Sequence, residues 1–166
     1  MNTQCQRILL LCSLGLTGCN SGSTGNQTGV DVENAATAAA SSAAVTAVSV
    51  AGESRNFSFS VTIESPDTGC TQYADWWEVL SPNGELIYRR ILTHSHVDEQ
   101  PFTRSGSPVE ITAIDEVIVR AHMNSVGYGS QVFRGSVEAG FSAETVDSAF
   151  AEELEISDPL PNSCAF

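Results

Sequence analysis

Phe57-Ser58-Phe59-Ser60-Val61-Thr62-Ile63-Glu64 alternates large apolar and small polar side chains without a break. Successive side chains on a strand point to opposite faces, so this period of two predicts a half-buried strand with the Phe, Val and Ile side chains inward. Working outward, residues 73–80 and 85–93 are rich in aromatic and branched side chains. Ser81-Pro82-Asn83-Gly84 lies between them with turn chemistry, which predicts a hairpin. Residues 109–112 read as a short strand. Residues 116–123 read as another, with Val117, Val119, Ala121 and Met123 on one face and Ile118, Arg120 and His122 on the other. Gly127-Tyr128-Gly129 breaks the chain before residues 131–141, which read as one strand with Phe133, Gly135, Val137, Ala139 and Phe141 on a shared face. Short strands joined by Gly, Pro, Asn and Ser turns predict an all-β fold. The expected form is an antiparallel β-sandwich, immunoglobulin/fibronectin-like or jelly-roll-like, in a single domain over residues 53–166.

Residues 20–52 read as a linker. The first part is Ser, Gly, Thr, Asn and Gln; residues 35–51 are Ala, Ser, Thr and Val without charge. Neither part holds enough large apolar surface to offset the entropy of ordering the backbone. As a coil of about 33 residues it would span roughly 30 Å. At the other end, residues 142–166 are strongly acidic. There Phe150, Leu154 and Ile156 are expected to pack a short helix or strand onto the sheet, and Pro159 and Pro161 to end it.

The chain carries 20 acidic residues against seven basic ones, all of them arginine, for a formal charge of −13. Such a field repels nucleic acid and anionic headgroups, so binding to either through a basic patch is excluded as an expectation. It suits solubility, cation binding or a salty medium.

Residues 1–18 have the layout of a secretory signal: a polar start with Arg7, then an apolar run from Ile8 to Leu16, too short for a permanent span. Leu16-Thr17-Gly18-Cys19 resembles the lipobox of bacterial lipoproteins. The resemblance implies cleavage before Cys19 and lipid on its thiol, with stable anchoring once more than one chain is attached. It implies a place in the cell envelope, with the domain facing the periplasm or the exterior; Asn20 is compatible with outer-membrane sorting. Losing Arg7 with the leader would lower the charge by one further unit. Cys5 and Cys12 would leave too. Cys70 and Cys164 then remain, one pair in an exported chain, where an oxidising compartment favours a disulfide. Two free thiols or a metal site are the alternatives, and neither has CxxC spacing behind it.

The stretch His94-Ser95-His96-Val97-Asp98-Glu99 is the most chemically suggestive. On a strand, both imidazoles would share a face and could reach one divalent metal, Zn²⁺ or Cu²⁺, with His122 and Glu99 completing the set. The pattern resembles in part the first cupin motif, although Glu99 comes early, the preceding Gly is absent and no second motif follows. Solvated histidines at a strand end are the bland alternative. Trp76 and Trp77 are adjacent and would face opposite sides. One is expected in the core, and an exposed partner could stack on a sugar ring. Arg89 and Arg90 split likewise, and at least one is expected to pair with a carboxylate. No nucleophile elbow or nucleotide-binding turn is present. The reading is a non-enzymatic binding or structural module needing no cofactor, whose partner is a protein or a glycan. A small metalloprotein using His94, His96 and His122, or a carbohydrate-binding module using Trp76 or Trp77, are the alternatives.

Overall fold

A computed structural model describes residues 41–165; the signal segment, Cys19 and the linker up to residue 40 lie outside them. The alternating stretch is strand β2 (Asn56–Glu64), and its four apolar residues are all buried. It pairs antiparallel with β1 (Ala44–Glu53) on one side and β5 (Phe102–Val109) on the other. The second sheet runs β4 (Leu86–Ile91), β3 (Ala74–Leu80), β6 (Val117–Met123), β8 (Gln131–Ser136) and β9 (Gly140–Thr145). The two-residue β7 (Gly127–Tyr128) also pairs with β6. All pairings are antiparallel, which makes the domain an all-β sandwich.

The core lies between the sheets. Phe57, Phe59, Val61 and Ile63 meet Trp77 and Val79 from β3 and Val117, Val119, Ala121 and Met123 from β6. Each of the Phe, Val, Ile and Met side chains contributes about 1.5–3 kcal/mol through burial. Where β5 passes this core, a Cβ on Gly106 would sit 2.6 Å from Tyr88 Oη and 2.9 Å from Trp77 Cζ2. Only glycine lets the strand come that close. On the solvent side of the smaller sheet, hydroxyls pair across strands, Ser60 with Ser105 at 2.8 Å and Thr62 with Thr103 at 2.9 Å.

Three boundaries differ from those expected. Residues 44–52, read as linker, form most of β1, where Val45 is fully buried and Val48 and Val50 pack on the core. A bulge between Val45 and Ala47 shifts the parity, which hides the alternation. The strand expected at 109–112 lies instead at β5 and ends at Val109. Residues 131–141 do not form one strand: β8 and β9 fold into a hairpin that pairs Ser136 with Gly140.

The larger sheet has a second buried face. Leu80, Ile118 and Val132 form a small apolar cluster, covered by Val146, Phe150 and Leu154 from the acidic tail. The tail includes a short 3-10 helix, Glu152–Ile156. Phe150 and Leu154 pack as expected, whereas Ile156 is 85 % exposed. The end of the tail is fixed covalently. Cys70 and Cys164 form a disulfide across a sequence separation of 94, and Ala165 makes a parallel bridge to His94.

On the chain-entropy model a closure of this length stabilises by about 4–5 kcal/mol. Cys164→Ser is therefore expected to lose up to about that amount in urea denaturation, and to expose residues 160–165 to protease while the sandwich and residues 150–159 stay in place. An unchanged urea midpoint would contradict it.

Candidate functional site

The outward parity of β3 decides what lies beneath the tail. Trp77 and Val79 enter the core, so Trp76, Glu78 and Leu80 must face the other way. In register, Glu78 stands opposite Arg89 on β4 and Arg120 on β6. Its Oε2 accepts from Arg89 Nε at 2.8 Å, and its Oε1 accepts from Arg120 Nε at 2.7 Å. All three side chains are essentially buried. Burying three charges is tolerable only when their remaining hydrogen-bonding groups are matched. The tail supplies the partners. Arg89 donates to the carbonyls of Leu154 at 2.7 Å, Ser157 at 2.6 Å and Pro159 at 3.1 Å. Arg120 donates to Phe150 and, at 3.0 Å, to Ala151. The Arg120 guanidinium also lies 3.4 Å from the centre of the Tyr128 ring. Burial, with Glu78 nearby, pushes the Tyr128 phenol well above its ordinary range, so it stays protonated and accepts from Arg89 at 3.3 Å.

Two residues along β6, His122 stacks on the Trp76 indole, ring centres 3.6 Å apart and planes nearly parallel. Its Nδ1 lies 2.6 Å from Asp75 Oδ1. A carboxylate can only accept, so Nδ1 carries the proton and donates. Nε2 points the other way, 3.6 Å from Glu155 Oε1 on the 3-10 helix. Gly127, with φ +80°, makes room: a Cβ there would sit 2.5 Å from Glu155 Oε1. Glu155 lines an open groove of about 650 Å³ with Tyr128, Asp147 and Glu152.

The other histidines lie elsewhere. They follow β4 in a loop, so strand parity does not apply: His94 is exposed while His96 is buried. The His96 ring stacks on Phe102 at 3.7 Å, and its backbone N–H donates to Asp67 Oδ2 at 2.8 Å. Its Nδ1, and the neighbouring Ser95 hydroxyl, are buried without a hydrogen-bond partner. Burial holds the His96 pKa below the ordinary 6.5, and the Arg104 charge acts in the same direction. Glu99 is engaged by Arg104 at 2.7 Å, a hydrogen bond that lowers its pKa. The His94 and His96 rings do meet edge to face, centres 5.4 Å apart, but the full metal set read from the sequence is not gathered. Among the described residues no group of three or more His, Cys, Asp or Glu side chains is gathered to hold an ion. Nor is either indole available as a sugar platform: Trp76 is 3 % and Trp77 0 % exposed, and the Arg89 guanidinium lies 4.5 Å from the Trp76 ring centre. Sequence reasoning anticipated a pairing for Arg89 or Arg90, but gave Asp75 and Glu78 no structural part. The signal for Glu78 was a charged residue at outward parity in the middle of an aromatic strand; Asp75 has the parity of Trp77 and reaches His122 because the register shifts between Ala74 and Trp76.

No protein-family model matches the chain. No solved structure matches it either. Over 86 residues it is 40 % identical to a protein of Halomicrobium mukohataei named "Putative lipoprotein", an alignment covering 52 % of this chain and 42 % of that protein. The chain thus spans less than half the length of the curated relative it matches.

Two outcomes follow from the buried charges. Glu78→Gln leaves two buried guanidiniums without their counter-charge, and is expected to cost about 3–5 kcal/mol and to make residues 147–159 protease-sensitive; wild-type resistance would refute it. For His96 the folded state resists a proton that the unfolded chain accepts near 6.5. Its contribution is intact above 6.5 and is lost as pH falls from there toward the lower folded value. His96→Phe keeps the stack on Phe102 and is expected to reduce the loss of urea midpoint between pH 7.5 and 5.5. An unaltered pH slope would count against it.

Proposed function

We propose that the chain is exported and anchored by lipid on Cys19, and that its sandwich acts outside the cytoplasm as a binding or structural module, not an enzyme. The observation that carries this is Leu16-Thr17-Gly18-Cys19 at the end of a short apolar run. The name of the 40 % identical relative supports it. So does the Cys70–Cys164 disulfide, which suits an oxidising compartment. Among the described residues no helix is long and apolar enough to cross a membrane, so the anchoring in this reading rests on the lipid. Asn20 fits outer-membrane sorting in a cell with two membranes. The partner is a protein or a glycan, and burial of both indoles argues against a glycan held by tryptophan stacking. The module itself needs no cofactor.

Cys19→Ala tests the reading. In cells fed a clickable fatty acid, wild type is expected to carry label and sediment with membranes, and the variant to lose both. Equal membrane retention of the two would sink the anchor.

A further inference from the structure

Strand β2 opens on Asn56-Phe57-Ser58, an asparagine with a hydroxyl residue two positions on and no proline between, the acceptor motif for an N-linked glycan. Strand parity fixes how the motif is presented. Phe57 and Phe59 enter the core, so Asn56 and Ser58 stand together on the outward face. Asn56 is exposed and pairs with Glu53 across the two-residue turn Ser54-Arg55, at the tip of the β1–β2 hairpin. The next hydroxyls along β2 are engaged, Ser60 by Ser105 and Thr62 by Thr103. The Asn56 amide and the Ser58 hydroxyl have no such partner among the described residues. The other described asparagines lack the motif: two positions after Asn83, Asn124 and Asn162 come Glu85, Val126 and Cys164. Asn124 is also spent within the fold, accepting from the Tyr73 N–H and donating to the Cys70 carbonyl.

We propose that Asn56 is a glycosylation site, carrying an N-linked oligosaccharide on the exported chain. The inference rests on the export reading, because the sugar donor is met on the far side of the membrane. In the transfer, Asn56 Nδ2 forms a bond to the anomeric carbon of a lipid-linked sugar phosphate. The bond from that carbon to the phosphate oxygen breaks, the lipid phosphate leaves, and the amide gives up one proton. No oxidant or reductant enters. The surface beside the acceptor suits a sugar. Ser58 is followed along the outward face by two cross-strand rows, Ser60 with Ser105 and Thr62 with Thr103. These positions carry hydroxyls and no charge, in a chain with 20 acidic residues. Hydroxyls both donate and accept, as those of a sugar do, so a glycan folded back over the sheet finds partners of its own kind. Attachment at an outward position displaces no core side chain.

The test is peptide mapping by mass spectrometry of the full chain purified from the membranes of its native cells, with variants expressed in the same cells. Asn26-Gln27-Thr28 repeats the motif outside the described residues, so the increment is assigned by peptide and not from the intact mass. The peptide holding Asn56 is expected to carry at least one sugar in wild type and in Ser58→Thr, and to lose the whole increment in Asn56→Gln and in Ser58→Ala. A bare Asn56 on chain that bears the Cys19 lipid overturns the site and leaves the anchor standing. An increment undiminished in Ser58→Ala overturns the acceptor motif. Chain held in the cytoplasm with its leader intact overturns the export reading and the site with it.

Discussion

Glu78 lies at the centre of a sheet face with a guanidinium on either side, and that arrangement determines what can cover the face. Two arginines against one carboxylate leave donors in excess. Those donors cannot stay buried and unmatched, since each would cost about 1–3 kcal/mol. The central strands β3 and β6 have no acceptors to spare, since each is paired on both sides. The tail's backbone does, at Phe150, Ala151, Leu154, Ser157 and Pro159. Phe150 and Ala151 lead into the short 3-10 helix, Leu154 lies in it, and Ser157 and Pro159 follow in a proline-bearing run; Ala151 and Leu154 also accept a backbone N–H within the tail. An acidic segment can therefore dock without burying its carboxylates: its main chain meets the arginines while most of its acidic side chains remain in water.

The apolar contribution on this face is small. Leu80, Ile118 and Val132 meet Val146, Phe150 and Leu154, a patch far smaller than the core between the sheets. Hydrophobic contact alone would hold the tail in many registers. Directional guanidinium bonds to named carbonyls select one. Arginine suits this better than lysine, since its planar fork reaches a carboxylate and several carbonyls at once. Arg89 alone reaches Glu78, Tyr128 and three tail carbonyls.

This asymmetry explains what could be read from sequence. A strand with one dry and one wet face carries a period of two, and β2 and β6 were legible for that reason, down to which face of β6 enters the core. β1 was not, because its side chains are small and a bulge breaks the period at Thr46. β5 was not, because its inward positions include Gly106 and its outward ones are hydroxyls paired across the sheet. The β8–β9 turn lacks Asn-Gly or Pro, so the chain read straight through it. The site was obscured by a different assumption, that charge means solvent. Glu78 between Trp77 and Val79, and Arg120 between Val119 and Ala121, look like exposed positions until a second layer covers them. The His94–His96 spacing does bring the two rings edge to face, but parity ends where β4 ends, so one ring is buried and the other exposed.

The tail is held at two ends by unlike means, and the histidines report on each. Arginine bonds hold residues 150–159 and bring Glu155 to His122. The disulfide and the bridge at Ala165 hold the terminus against residues 93–95, next to buried His96. His122 thus has a tail carboxylate as part of its surroundings, while His96 has the terminus bridged to its loop. Loosening the arginine bonds would free Glu155 but leave the loop at 93–96 clamped, because a covalent link does not depend on the electrostatics of Glu78. Reduction would release the terminus yet leave the carbonyl bonds, whose acceptors all precede Cys164 by at least five residues. The two attachments therefore act independently on two different histidines, and a change felt at both requires the tail to leave the sheet as a whole.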